Sequence, residues 1–402
     1  MDLLEAKQAV IAAGHRLKES GLIARTWGNI SARVDDKRFV ITPSGMAYER
    51  LTPDDIVLAD IETLGYEGSV KPSSEKGIHA AVYKKRPGAS FVIHTHQVDA
   101  SMVCSLQAGL MDIAPDFRSR FGSCVPLAAY GLPGTGKLRR GVEKAIDETE
   151  GQAVLMAHHG ALVWGHDADD AFQTAAELEK LALNAVYGQY TAVTNEEVPE
   201  TEGEFADAVV RIFQKEIRPV DNYAFFCCDS HRIDDKSSFV ISYPDGDKEY
   251  SIDMEDKDEL PAVLLYRQIY RHRPDIRVIR VTRKASVIAV SMLDKPLLPQ
   301  LDDFAQILGV SVRCVTYNNK VPRASAGWCV KAFAGRSALL LLGVGALCCG
   351  VNDEDAEAAL MILTKACRTQ IASLLFNTYR VISPLEARLM RLVYLKKYSK
   401  KV

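Results

Sequence analysis

The second half of this chain repeats the first half in degenerate form, and this repeat restricts the fold more than any other feature. The repeated segments are Arg33–Lys37 with Arg232–Lys236, Phe39–Ile41 with Phe239–Ile241, and Ala153–Ala171 with Ala338–Ala356. Their order is the same in both halves, and their offset stays between about 185 and 200 residues, as in a tandem duplication. We therefore expect two tandem copies of one domain.

The length of the chain agrees with this division. A chain of 402 residues is too long for one ordinary hydrophobic core, so two domains are the natural expectation. The composition turns acidic and polar around Asn195–Glu200. We predict domains at residues 1–195 and 205–402, joined by an acidic linker at 196–204.

Two histidines follow an apolar, strand-like run in the first copy, in the sequence His94-Thr95-His96. Side chains at positions i and i+2 of a strand lie on the same face, so both imidazoles can approach one metal ion. His158-His159 follows a second apolar run, and Glu75 lies about twenty residues upstream of His94. Three histidines and a carboxylate suit zinc, with one position left for substrate. The alternative is a pair of structural histidines at a strand end.

Three loops of small polar residues precede the histidines. They lie at Thr26–Ser31, Thr42–Gly45 and Lys71–Glu75, and the last one opens a predicted helix. Backbone N–H groups and hydroxyls in such loops can bind an anion, above all at a helix N-terminus. Plain turns and serine N-capping are the alternatives for each loop taken alone.

The second copy does not keep the chemistry of the first. The aligned replacements are Val281-Thr282-Arg283 for His94-Thr95-His96, Gly343-Val344 for His158-His159, Ala262 for Glu75, and Cys227-Cys228 for Gly28-Asn29. One aligned functional candidate remains, because Tyr317 falls opposite Tyr130. We expect the second copy to lack the metal, and to serve assembly, a partner, or the supply of Tyr317; a merely structural Tyr317 is the alternative.

Charge and apolar patterning exclude several classes of function. A net charge of −3 argues against a nucleic-acid surface. The most apolar run, Ser337–Val351, is too short to span a bilayer, and the N-terminus has no apolar secretory segment. Nine cysteines without Cys-x-x-Cys spacing indicate reduced thiols in a cytoplasmic protein.

With these residues in view, the first half resembles the class II aldolase/adducin family. The resemblance implies an α/β fold, a three-layer α/β/α domain with a mixed, largely antiparallel central sheet, here in two tandem copies. It also implies a zinc site, with manganese or cobalt as alternative metals. The residues that match the family's metal ligands are His94, His96 and His159, whereas His158 matches a position that is usually asparagine.

The resemblance also assigns the remaining site residues. It implies that Glu75 is the acid/base of a Ser-Ser-Glu motif and that Tyr130, in a Tyr-x-x-x-Gly-Thr motif, is a proton donor lent to a neighbouring subunit. The residues that match the family's phosphate-binding positions are Asn29, Ser44, Gly45, Ser73 and Ser74. If two chains form a pseudo-tetramer of alternating copies, Tyr317 would replace Tyr130 at the metal.

The function that the resemblance favours is metal-dependent cleavage of a keto-sugar phosphate to dihydroxyacetone phosphate and an aldehyde, by a homo-oligomer. A 4-epimerase, a dehydratase and a decarboxylase are alternatives on the same scaffold. Glu75 stands where the epimerases typically carry aspartate, which favours aldolase or dehydratase. A non-catalytic, adducin-like assembly protein is the alternative from another class.

Overall fold

A computed structural model describes residues 1–23, 27–106, 108–214, 228–233, 237–254 and 260–397. The repeated residues 234–236 and Cys227 lie outside these ranges. The chain divides into two compact units, one ending at Val193 and the other beginning at Thr194. Each unit is a mixed seven-stranded sheet with helices, which confirms the predicted α/β fold in two tandem copies.

The first unit contains α1 (Leu3–Glu19), β1 (Asn29–Arg33), β2 (Arg38–Ile41), β3 (Val57–Asp60), α2 (Lys76–Lys85), β4 (Phe91–Thr95), α3 (Val98–Cys104), α4 (Pro115–Phe121), β5 (Leu127–Ala128), α5 (Gly136–Glu148), β6 (Ala153–Met156), β7 (Gly160–Gly165) and α6 (Ala168–Thr194). The sheet order is β3-β2-β1-β4-β7-β6-β5. Among the described strand pairs of this unit, only the edge pair β5–β6 is parallel. Strand β4 is therefore central, and all five of its residues are buried, as expected for a strand that is covered on both faces.

The second unit contains α7 (Glu202–Phe213), β8 (Ser230–Arg232), β9 (Ser238–Tyr243), β10 (Gly246–Ser251), α8 (Pro261–His272), β11 (Val278–Thr282), α9 (Ala285–Ser291), α10 (Asp302–Ile307), β12 (Arg313–Val315), α11 (Pro322–Phe333), β13 (Ala338–Leu341), β14 (Gly345–Gly350), α12 (Asp353–Leu375) and α13 (Pro384–Lys397). Its sheet order, β10-β9-β8-β11-β14-β13-β12, is that of the first unit position by position. Helix α7 begins at Glu202, within the segment predicted as a linker, because Thr201 and Glu204 form a capping box.

The two units share an arginine hydrogen bond and a close approach of two strands. Arg33 donates to the carbonyl oxygen of Tyr83, and Arg232 donates to that of Tyr270. A β-carbon added to Gly345 would lie 2.2 Å from the carbonyl oxygen of Thr282, as one added to Gly160 would from that of Thr95. The duplicated glycines thus allow the same close approach of two strands in both units.

Helix α12 is the one helix among the described residues that is long and apolar enough to cross a membrane by length and composition. Its most apolar window has a mean hydropathy of 1.2, and 72% of that window is buried inside the protein. Burial of this kind is typical of a core helix, so the helix is weak evidence for a membrane span.

The strand approach at Gly345 generates a stability prediction. Gly345→Ala should lower the free energy of unfolding by about 2 to 4 kcal/mol, because the residue has a φ of +139° and its new β-carbon would overlap the Thr282 carbonyl. Gly327→Ala is the matched control within helix α11, where nothing lies within 4 Å of the added carbon. The control should stabilise the chain by about 0.5–1 kcal/mol. Urea unfolding measures both, and equal effects would contradict the prediction.

Candidate metal centre

Antiparallel strand pairing brings three histidines together in the first unit. Strand β4 carries His94, and His96 follows its last residue. His159 lies in the turn between β6 and β7, and β7 pairs directly with β4. One ligand atom from each of the three imidazoles lies within 4.8 Å of the others. His94 and His159 are buried, and His96 is half-buried.

Hydrogen bonding sets the nitrogen that His94 presents to the site. Its Nδ1 lies 2.8 Å from the carbonyl oxygen of Ala161, which can only accept, so Nδ1 carries the proton and Nε2 is left with a lone pair. That Nε2 lies 3.0 Å from Nε2 of His96. Two nitrogens this close share either a proton or a cation, because facing lone pairs repel. Burial lowers the pKa of His94 well below its ordinary value, so the neutral, metal-binding form is favoured.

Glu75 completes the cluster on the side of helix α2, where it is the N-cap residue. Its Oε1 lies 3.0 Å from Nε2 of His159, and its Oε2 lies 3.4 Å from Nε2 of His94. Burial alone would raise the pKa of Glu75, but the electrostatic interaction and the hydrogen bond with His159 outweigh burial and hold that pKa below its ordinary value. Three imidazoles and an ionised carboxylate are a donor set that fits a divalent transition metal or zinc.

The loops that were matched to phosphate binding are joined to each other beside Glu75. The Ser44 N–H donates to the carbonyl oxygen of Lys71, and the Ser73 N–H donates to that of Thr42. Ser73 is buried and its hydroxyl accepts the Glu75 N–H, whereas Ser74 is exposed next to the start of helix α2. Gly45 has a φ of +74°. These bonds join the loop of Ser44 and Gly45 to the loop of Ser73 and Ser74, and we call these four residues the rim.

Asn29 lies deeper than these four residues. It stands opposite His94 in the β1–β4 pairing and is 5% exposed. Its side-chain nitrogen donates to Oε2 of Glu75 over 3.0 Å. Its side-chain oxygen lies 2.5 Å from Nε2 of His79, a residue that the sequence interpretation missed. The available signal was spacing, since His79 follows Glu75 by four residues and so shares its face of helix α2.

The two tyrosine candidates have different surroundings. Tyr130 is half-buried, and its ring stands edge-on to that of His158, with 5.3 Å between the centroids. Tyr317 is 1% exposed in the core of the second unit. Its hydroxyl lies 3.2 Å from the carbonyl oxygen of Pro261 and 3.3 Å from that of Pro322. The hydroxyl of Tyr317 is therefore directed at backbone within its own unit.

The second unit keeps the backbone of the site without its ligands. Gly343 has a φ of +65°, close to the +62° of His158, so the turn that carries His159 recurs in the second unit. Its equivalent of His159 is Val344, and Ala262 replaces Glu75. Throughout the described parts of the chain, His94, His96 and His159 are the one cluster of three histidine, cysteine or acidic residues close enough to hold a metal.

Comparison with known proteins agrees with both the fold and the repeat. The family described as Class II Aldolase and Adducin N-terminal domain matches residues 8–186 and again residues 229–371. These two matches cover most of the chain. The protein therefore belongs to this family, with one copy of the family domain in each half, which confirms the resemblance stated from sequence.

The individual relatives each match about half of this chain. An L-ribulose-5-phosphate 4-epimerase, UlaF, from Salmonella paratyphi C is 33% identical over 192 residues, which span 44% of this chain and 83% of the epimerase. Among solved structures, an L-fuculose 1-phosphate aldolase is 30% identical, with a TM-score of 0.44 over 50% of this chain and 92% of the aldolase. An L-fuculose-1-phosphate aldolase from Thermus thermophilus is 26% identical, with a TM-score of 0.40 over 46% of this chain and 95% of that aldolase.

The geometry of the histidine turn predicts which of two adjacent histidines binds metal. His159→Ala should weaken zinc affinity at least about 10-fold, because it removes one of three convergent imidazoles. His158→Gly is the matched control, since glycine already occupies this positive-φ position in the second unit. Its affinity should stay within about three-fold of the wild type. Competition with a chromophoric chelator measures both; equal losses, or a larger loss in the control, would contradict the assignment.

Proposed function

We propose that the first unit is a divalent-metal-dependent aldehyde-lyase that reversibly cleaves a keto-sugar phosphate to dihydroxyacetone phosphate and an aldehyde. The substrate class is that of fuculose, rhamnulose and ribulose 1-phosphates. The observation that supports this most directly is the position of Glu75, a buried carboxylate 3.0 Å from one candidate metal ligand and 3.4 Å from another. A base held there can move a proton on a carbon next to a polarised carbonyl.

Each part of the site has a role in this proposal. His94, His96 and His159 would hold zinc, or manganese or cobalt in its place, which when bound supplies a Lewis acid for the carbonyl and hydroxyl oxygens of the substrate. Glu75 takes the proton from carbon or hydroxyl and returns it. The rim of Ser44, Gly45, Ser73 and Ser74 would bind the substrate phosphate at the start of helix α2, with the serine hydroxyls as donors.

A sugar-phosphate 4-epimerase is the second candidate, and a specific observation favours it. A stretch that covers 44% of this chain is 33% identical to an L-ribulose-5-phosphate 4-epimerase, over 83% of that enzyme. Inversion at a carbon that bears an aldol hydroxyl can proceed through the same bond cleavage. The aldehyde must then rotate to present its opposite face and add again before it leaves the site. The two reactions therefore differ in whether the aldehyde is released. The epimerases typically carry aspartate at the position of Glu75, and this difference favours the lyase, which releases the aldehyde.

The test is a direct assay for released product. Metal-loaded protein is incubated with L-fuculose, L-rhamnulose and L-ribulose 1-phosphates, and dihydroxyacetone phosphate is measured with a coupled dehydrogenase. We expect release from at least one substrate, and loss of at least about 100-fold in kcat for Glu75→Gln with metal content unchanged, since the amide cannot accept the proton. L-Ribulose 5-phosphate is incubated in parallel, and its inversion at C4, with no dihydroxyacetone phosphate released from any 1-phosphate, would replace the lyase by the epimerase.

The different surroundings of the two tyrosines generate a further prediction. Tyr130→Phe should lower kcat at least about 10-fold, because we assign the proton on the leaving aldehyde oxygen to the hydroxyl of this half-buried tyrosine. Tyr317→Phe should leave kcat within about two-fold and cost about 1 kcal/mol of stability, since its hydroxyl bonds to backbone in the core. Steady-state kinetics measure kcat of both variants, and urea unfolding measures their stability. A loss of turnover confined to Tyr317→Phe would instead support the pseudo-tetramer hypothesis, in which Tyr317 reaches the metal.

We also propose that the protein acts in the cytoplasm as a homo-oligomer, as the family resemblance implies. Under this proposal the second copy supplies subunit contacts and no second metal site.

A further inference from the structure

A continuous row of buried polar side chains leads away from Glu75 into the core of the first unit. After Asn29, the row continues with His79, whose Nδ1 lies 2.7 Å from the Ser31 hydroxyl. The Ser31 hydroxyl lies 2.7 Å from the hydroxyl of Tyr83. His79 and Ser31 are fully buried, and Tyr83 is 2% exposed. The row thus connects a carboxylate, an amide, an imidazole and two hydroxyls through consecutive hydrogen bonds.

The chemistry of the groups fixes the direction of the bonds at the near end of this row. An ionised Glu75 can only accept, so the Asn29 amide nitrogen donates to it and the Asn29 oxygen must accept from His79. Nε2 of His79 therefore carries the proton, and its Nδ1 accepts from the hydroxyl of Ser31. Burial lowers the pKa of His79 to about 3, in keeping with a neutral ring that has one donor and one acceptor.

The second unit shows which members of the row the fold itself needs. Ser230 takes the place of Ser31, since Ser31 pairs with Ile41 and Ser230 with Ile241. The hydroxyl of Tyr270 lies 3.1 Å from that of Ser230, so the far end of the row persists.

The near end of the row is lost in the second unit together with the metal ligands. Tyr266 occupies the position of His79, and its hydroxyl donates to the backbone oxygen of Cys228, the residue aligned with Asn29. Ala262 aligns with Glu75. A domain of this fold thus forms without the histidine and the asparagine, but keeps the serine and the tyrosine.

We propose that His79 is a positioning residue that holds the Asn29 amide, and through it the carboxylate of Glu75, in the orientation that the metal site requires. The side-chain amide of Asn29 can rotate by 180° unless its oxygen is held by a hydrogen bond. That rotation would place the amide oxygen, instead of the amide nitrogen, next to the Glu75 carboxylate. The Nε2–H of His79 prevents this. The consequence for catalysis rests on the function proposed above, whereas the consequence for hydrogen bonding does not.

The first arm of the test is independent of activity. Long-range ¹⁵N–¹H spectra of histidine-labelled, full-length protein distinguish the two neutral tautomers, and the signal of His79 is assigned by its absence in His79→Gln. We expect the Nε2–H tautomer, unchanged between about pH 6 and 8 because the ring stays neutral across that range. A signal from the Nδ1–H tautomer, or from a doubly protonated ring, would overturn the inference even if every assay of turnover failed.

The second arm measures kcat of each variant, normalised to the amount of bound metal. Loss of a partner that orients an active-site group typically costs about 10- to 100-fold. His79→Leu and His79→Tyr should show this loss in kcat with unchanged zinc stoichiometry; tyrosine is already accommodated at this position in the second unit. The amide of His79→Gln can donate to Asn29. The decrease in log kcat of this variant should therefore be smaller than that of His79→Leu by at least about a third.

The matched control is Tyr83→Phe, which removes a hydroxyl at the far end of the same row and should keep kcat within about two-fold. A merely structural role for His79 predicts a lower melting temperature with normal kcat per metal site, and no advantage of glutamine over leucine. Either result would overturn the proposal. Wild-type protein without turnover on any substrate would instead count against the proposed function, and the tautomer would then decide the inference alone.

Discussion

The candidate site depends on the antiparallel pairing of β4 with β1 on one side and β7 on the other. This pairing places Asn29 opposite His94 from one neighbour, and brings the turn with His159 to the end of β4 from the other. Both approaches are close. An added β-carbon on Gly28 would lie 2.5 Å from the carbonyl oxygen of His94, and one on Gly160 would lie 2.2 Å from that of Thr95. Backbone geometry at the two glycines therefore sets the positions of the ligands.

The duplicated chain separates what this fold needs from what its chemistry needs. Both units keep the sheet order, the close strand approach at Gly160 and Gly345, and an arginine that donates to a helix carbonyl. The second unit loses every histidine of the cluster and the carboxylate beside it. Buried histidines and an acid are costly to keep in a core unless they are paired with one another or with a metal. Their replacement by apolar residues and an arginine is what a domain without that metal would tolerate.

Much of this organisation could be predicted from sequence, for identifiable physical reasons. The apolar runs before His94 and His158 predict buried strands, and the order of repeated segments predicts a second copy with the same fold. The structure brings together His94, His96 and His159, which strand ends predicted as a group that included His158-His159 and in which the family resemblance selected His159. These features depend on local pattern and on order along the chain, which a sequence displays directly.

The parts that sequence did not reveal depend on contacts between distant side chains. Asn29 was matched to phosphate binding, but its amide bonds to Glu75 and His79, a pairing set by strand register and by the helix that follows. Tyr317 aligns with Tyr130, and alignment alone makes the two equivalent. Only the packing shows that one hydroxyl is directed at core backbone while the other ring stands beside the histidine turn.

The central claim is that one chain holds one metal ion, in the first unit. Anomalous diffraction from crystals grown with zinc, recorded above and below the zinc absorption edge, tests it most directly. The account predicts one strong peak per chain, bounded by His94, His96 and His159, with none beside Thr282 and Gly343. The absence of a peak at the three histidines, or a second peak of equal height in the second unit, would contradict it.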